Sequence, residues 1–197
     1  MNTILICIII VTSILALNNK KLFNAFILNP SRIDAHQEYY RFLTSGFIHA
    51  NYLHLFVNMF TLFFFGSSIE SKLGGIHLLA ILLLGIIISD FPSYSKHRNN
   101  PSYRSLGASG GVSAIVFAYI ILDPVSTIFL FFIPVPAFIF GGLFLMYSYY
   151  QSRNESGDNV NHTAHFYGSV VGIVYTLIVY PEASFTFFER LLSWRIF

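Results

Sequence analysis

A serine set among glycines, a distant histidine, and a second histidine one helical turn from an asparagine could together hydrolyse an amide. The serine is Ser109, in Gly107-Ala-Ser-Gly-Gly111, and the distant histidine is His165. The pair is His54 and Asn58, at i and i+4 on one helix face. Serine attacks poorly until a base accepts its proton, and imidazole is the usual base. Attack on a carbonyl builds an oxyanion, which His or Asn side-chain donors and a backbone N–H can stabilise. Glycines beside Ser109 permit a tight turn, and a helix starting there leaves N–H groups free. Glu70 and Asp90 fall at the far ends of their segments, so no acid is expected to orient the histidine. The chemistry expected is a Ser109–His165 dyad with His54 and Asn58 as oxyanion donors and no cofactor. Each residue type also has a purely structural use. A serine within a membrane often bonds a backbone carbonyl, and a histidine often serves packing or a proton relay. A metal is the other chemistry to weigh, because the seven histidines include His49, His54, His162 and His165. His162 and His165 have ligand spacing. Against this, there is no HExxH, Cys7 is the sole cysteine, and His49 and His54 should face apart, so no metal is expected.

The elements that must position these residues are membrane helices. Of 197 residues, 55% are hydrophobic and 10% charged, against about 25% charged in soluble domains. Such a chain must show apolar surface to a lipid bilayer. A net charge of +2 gives no footing for nucleic acid. Six all-helical spans are predicted, at 3–17, 52–69, 73–88, 109–122, 127–147 and 164–179. They form one membrane domain, 1–197. The first span lacks a basic leader and a small-residue cleavage site, so it is expected to stay as an anchor. Segments 18–51, 90–106 and 151–162 are long loops on one face, and 70–72 and 123–124 are short turns on the other. Within 18–51, the stretch from Glu38 to Phe42 suits an interfacial position. Pro134 and Pro136 are expected to kink the fifth span.

His54, Ser109 and His165 open the second, fourth and sixth spans, 55 and 56 residues apart. Two spans with their connections take on the order of 50 residues. Each interval therefore carries the chain across and back, and the three starts lie on one side at similar depth. Gly110, Ala114 and Ala118 form a small-residue stripe on the fourth helix. His165, Gly168 and Gly172 share a face of the sixth. Small residues let membrane helices approach closely, and packing of these two stripes would bring Ser109 and His165 together.

Tyr40-Arg41, Phe47-Ile-His49, His54-Leu-Phe-Val-Asn58, Gly66 and Glu70, then Gly107-Ala-Ser109-Gly110, then Ala164-His165-Phe-Tyr-Gly168 and Gly172, occur in the order and on the helices of a known pattern. The chain resembles the rhomboid family of intramembrane serine proteases over nearly its whole length. The resemblance implies a six-transmembrane-helix bundle that cleaves single-pass transmembrane substrates. It makes Ser109 the nucleophile, His165 the base, and His54, Asn58 and the Ser109 N–H the oxyanion hole. It puts Gly107 on the substrate site and makes Arg41, Glu70, Gly168 and Gly172 structural. The fifth helix and loop 151–162 would act as a gate. The expected setting is a multi-pass position in a bacterial inner membrane.

Two departures stand out. The family commonly has an aromatic four residues after the nucleophile, packed on the histidine; here that residue is Ser113. Family orientation would also put eight of 11 basic residues outside, against the positive-inside rule. The alternative to a protease is a weakly active or non-catalytic relative that binds transmembrane segments. A transporter would show internal pseudo-symmetry and paired broken helices, and the sequence has neither.

Overall fold

The computed structural model describes residues 1–130, 132–154 and 160–194. The expected gate loop therefore lies partly outside the described residues. Helix α1 (Asn2–Asn18) matches the first expected span and enters the main core through Leu5 and Ile9. The long first loop folds into α2 (Lys20–Phe26), α3 (Pro30–His36), α4 (Arg41–Thr44) and a 3-10 turn, Ser45–Phe47. The sequence writes these starts locally. Asn19 accepts from the Lys21 and Leu22 N–H groups, and Asn29 accepts from Arg32 with Pro30 in the first turn.

Helix α5 (Tyr52–Thr61) runs through a π-helical turn, Leu62–Gly66, into α6 (Ser67–Leu73). A π turn frees backbone carbonyls. Here Asn2 Nδ2 donates to the carbonyls of Leu62 and Phe63 at 3.1 and 3.3 Å. Gly66 makes room, because a Cβ there would stand 2.5 Å from Asn2 Oδ1. Gly74, at φ +92°, is the whole link to the next helix.

Helix α7 (Gly75–His97) corrects the expected third span, which was to end at 88 and give way to a polar loop. Its polar end stays helical because those side chains find partners inside the protein. Ser45 Oγ donates to Asp90 at 3.1 Å, and Ser93 bonds Asn161. Helix α8 (Ser109–Leu122) matches expectation and is buried along most of its length.

The fifth span is also corrected. Residues 127–130 and 133–136 form an antiparallel pair, β1 (Thr127–Leu130) with β2 (Ile133–Pro136), in register Thr127↔Pro136. Pro134 and Pro136 lie in β2 and kink no helix. Proline biases its predecessor to extended backbone and is tolerated on an edge strand. Helix α9 (Ala137–Asn154) starts ten residues later than expected. Helix α10 (His162–Val179) fits the sixth span. An unexpected amphipathic helix, α11 (Glu182–Ser193), follows. It is too polar to span, and Arg190 ties it to Asp123 at 2.6 Å.

Small residues set the centre of the bundle. A Cβ on Gly168 would lie 2.1 Å from the Gly110 carbonyl oxygen, and one on Gly172 would lie 2.0 Å from that of Ala114. The two stripes read from sequence thus pack backbone to backbone. From the other side, Gly85 of α7 abuts Gly111 and Ala114 equally closely.

By length and composition, Tyr52–Leu73, Gly75–His97 and His162–Val179 can each cross a membrane. Asn2–Asn18 and Ser109–Leu122 are apolar but shorter, and α9 ends in the polar run Gln151–Asn154. At 1.5 Å per residue, the 14-residue α8 is about 21 Å long against a hydrocarbon core of about 30 Å. Asp123, just past its end, is paired with Lys72 and Arg190.

Candidate active site

Ser109 is the first residue of α8, and the turn before it is bonded to the first loop. The Gly107 N–H donates to the Ser45 carbonyl at 2.9 Å, and the Ala108 N–H donates to His49 Nε2 at 3.3 Å. That second bond fixes a tautomer. Nε2 accepts, so the proton of a neutral His49 sits on Nδ1 and donates to Ser13 Oγ, 2.9 Å away. Ser13 in turn donates to the Phe47 carbonyl at 2.9 Å. His49 is fully buried and joins α1, the first loop and the residue before Ser109.

His54 and Asn58 stand on the first turns of α5. Asn51 caps this helix through its Oδ1, which accepts from the His54 N–H at 2.8 Å. Asn58 Nδ2 donates to the His54 carbonyl at 2.9 Å, leaving its second proton for a ligand. The His49 and His54 rings meet edge to face at 4.9 Å. They had been expected to face apart, as they would on one helix. His49 instead precedes the cap, and the loop folds its ring back to His54. Gly107 sits directly behind His54 and is not on the cavity wall. A Cβ there would lie 2.6 Å from His54 Cε1, and its φ of +116° suits glycine.

His165 lies on the first turn of α10. Asn161 caps that helix by accepting from the Ala164 N–H at 3.0 Å. The Asn161 amide also donates to Ser105 Oγ at 3.0 Å and Ser93 Oγ at 3.2 Å. One side chain thus ties α10 to α7 and to the segment leading into Ser109. The Phe144 ring faces the His165 ring at 6.0 Å and 26°, and His162 meets it edge to face at 5.9 Å. Ser113 is buried where a ring was expected.

Ser109, His165, His54 and Asn58 all line one cavity of about 1370 Å³, walled on one side by α9. The four residues singled out from sequence therefore share a single space, reached from the starts of α5, α8 and α10. Among the described residues, no three His, Cys, Asp or Glu side chains are grouped to hold a metal.

A Rhomboid domain model matches residues 36–182. The chain belongs to the rhomboid family. It is 33% identical over 148 residues to RHOMBOID-like protein 12, mitochondrial, of Arabidopsis thaliana, covering 67% of this chain and 44% of that protein. It is 32% identical over 144 residues to Presenilin-associated rhomboid-like protein A, mitochondrial, of Danio rerio, covering 66% and 35%. With Rhomboid protein 1, mitochondrial, of Saccharomyces cerevisiae it shares 30% over 139 residues, covering 66% and 39%. This rhomboid spans less than half the length of each of these relatives. Their names place them in mitochondria, which lends no support to the bacterial inner membrane expected above. A membrane protein it is, by its apolar helices.

Arg41 and Glu70, two of the four residues expected to be structural, have the following surroundings. Arg41 is buried, pairs with Glu38, and donates to the carbonyls of Asn24 and Ile27 at 2.8 and 2.7 Å. Glu70 accepts from the Asn2 N–H at 2.9 Å, which holds α1 to the end of α6. Sequence reasoning missed Asn161 and gave His49 no task. Asn161 was findable, since an Asn just before an apolar helical run is a capping signal. His49 carried no local signal, because both its partners are remote in sequence.

Proposed function

We propose that this rhomboid is an intramembrane serine endopeptidase that hydrolyses peptide bonds in single-pass transmembrane substrates. One observation carries the proposal: a serine, two histidines and an asparagine from three separate helix starts line one cavity. The membership in the rhomboid family supports it.

The steps follow from the residue types. Ser109 Oγ attacks the scissile carbonyl carbon while His165 takes the hydroxyl proton. The negative charge on the tetrahedral oxygen is met by the Ser109 N–H at the α8 start, by Asn58 Nδ2 and by His54. The C–N bond breaks as the His165 proton passes to the leaving amine, and an acyl-enzyme remains. Water, deprotonated by His165, then releases the second product and restores Ser109. Substrate must unwind first, since a helical peptide bond is shielded by its own hydrogen bonds.

The test uses purified full-length wild type and Ser109→Ala in liposomes containing a reporter transmembrane protein. Wild type should cleave it, and Ser109→Ala should lose at least about a thousandfold in rate. Equal cleavage by both proteins, or capture of the reporter by both without cleavage, would overturn the proposal.

A further inference from the structure

We propose that Phe144, on α9, is the positioning residue for His165, so that the base is held in place by the helix that walls the cavity. This inference rests on the Ser109–His165 proposal above.

A general base works only while its nitrogen stays within hydrogen-bond reach of the proton it takes. An imidazole free to rotate about χ2 spends much of its time turned away. A ring lying nearly parallel against it removes that freedom, and Phe144 lies at 26° to His165. One turn after Ser109, α8 carries Ser113, whose side chain has only a hydroxyl. Phe144 is itself fixed, by Phe117 of α8 and Phe140 of α9, each at 5.8 Å. One turn further along α9, Tyr147 meets His162 edge to face at 5.3 Å, and His162 meets His165. Both imidazoles of α10 are therefore clasped by one face of α9.

The first measurement is steady-state cleavage in liposomes by wild type, Phe144→Leu, Phe144→Tyr and Ser109→Ala. Phe144→Leu keeps apolar bulk and loses the ring, so kcat should fall about threefold to tenfold. KM should stay within about twofold, while Phe144→Tyr keeps wild-type kcat. A merely structural role would not divide the two variants in this way. The second measurement needs no activity. In histidine-labelled Ser109→Ala protein, the ring current of Phe144 should move the His165 ring-proton resonance upfield, and Phe144→Leu should return it. Wild-type kcat in Phe144→Leu overturns the inference, and so does a His165 resonance at its ordinary position in protein with Phe144 intact. The latter stands even where Phe144→Leu fails to fold. Cleavage by Ser109→Ala would strike at the proposed function, whereas the resonance reports on the stack alone.

Discussion

Neutral imidazole has one donor and one acceptor, and at His49 both are spent on remote partners, Ser13 and Ala108. Burial, with His54 alongside, pushes its pKa down from 6.5 to about 3. The sign follows directly. The unfolded chain takes up a proton below about pH 6.5, and the folded chain does so only near 3. His49 thus stabilises the fold fully above pH 6.5, and that contribution drains away as pH falls toward 3. Unfolding in detergent should show wild-type stability declining across this window. His49→Ala should be about 1–3 kcal/mol less stable at pH 7.5, since the Ala108 N–H and Ser13 lose a buried partner. Its pH dependence there should also be flatter; an unchanged slope would remove His49 as the source. None of this was legible in sequence, because the partners lie 36 and 59 residues away. Ser109, His165, His54 and Asn58 were legible, since reactive side chains at helix starts stand out in an apolar chain.

At the scale of elements, the α8–α10 contact was readable because small residues four apart, Gly110, Ala114 and Ala118 on one helix and Gly168 and Gly172 on the other, suit close packing of membrane helices. Gly168→Ala and Gly172→Ala each drive a methyl against a backbone carbonyl, which cannot swing aside as a side chain end can. Each should destabilise the bundle by about 3 kcal/mol, the upper end for overpacking, as read by thermal unfolding in one detergent. Gly142→Ala, inside α9 with open space at its Cβ, should be neutral or up to about 1 kcal/mol stabilising, and serves as the control. The fifth span was misread for a physical reason. Residues 127–130 and 133–136 are as apolar as a helix, and composition did not reveal that they pair as strands, with Pro134 and Pro136 favouring extended backbone in the second. The end of α7 was misread the opposite way. Ser89, Asp90 and Ser93 look like loop residues but are buried against other protein groups.

At the scale of the molecule, the matched family region covers 36–182, yet α1 supplies Ser13 to the His49 chain and Leu5 and Ile9 to the core. At the far end of α8, Asp123 pairs with Lys72 and Arg190 and joins three separate segments. On the site side, Asn161 and His49 tie segments together by hydrogen bonds, alongside the ion pair of buried Arg41 with Glu38 in the first loop.

The shortness of α8 has a further consequence for the proposed protease, which is that it would act as a ruler. With Asp123 at one face of a hydrocarbon core of about 30 Å and α8 upright, Ser109 would stand about 9 Å inside the other face, and an extended chain covers about 3.3 Å per residue. A substrate strand descending from that face would reach the serine after about three residues. On that reading the count follows from where α8 begins and not from the substrate's own sequence. Inserting two residues just inside the boundary of a reporter segment should shift the scissile bond two residues toward its surface end. Mass spectrometry of the fragments would show this, and a cut that stayed with the original residue pair would assign the choice of bond to local sequence.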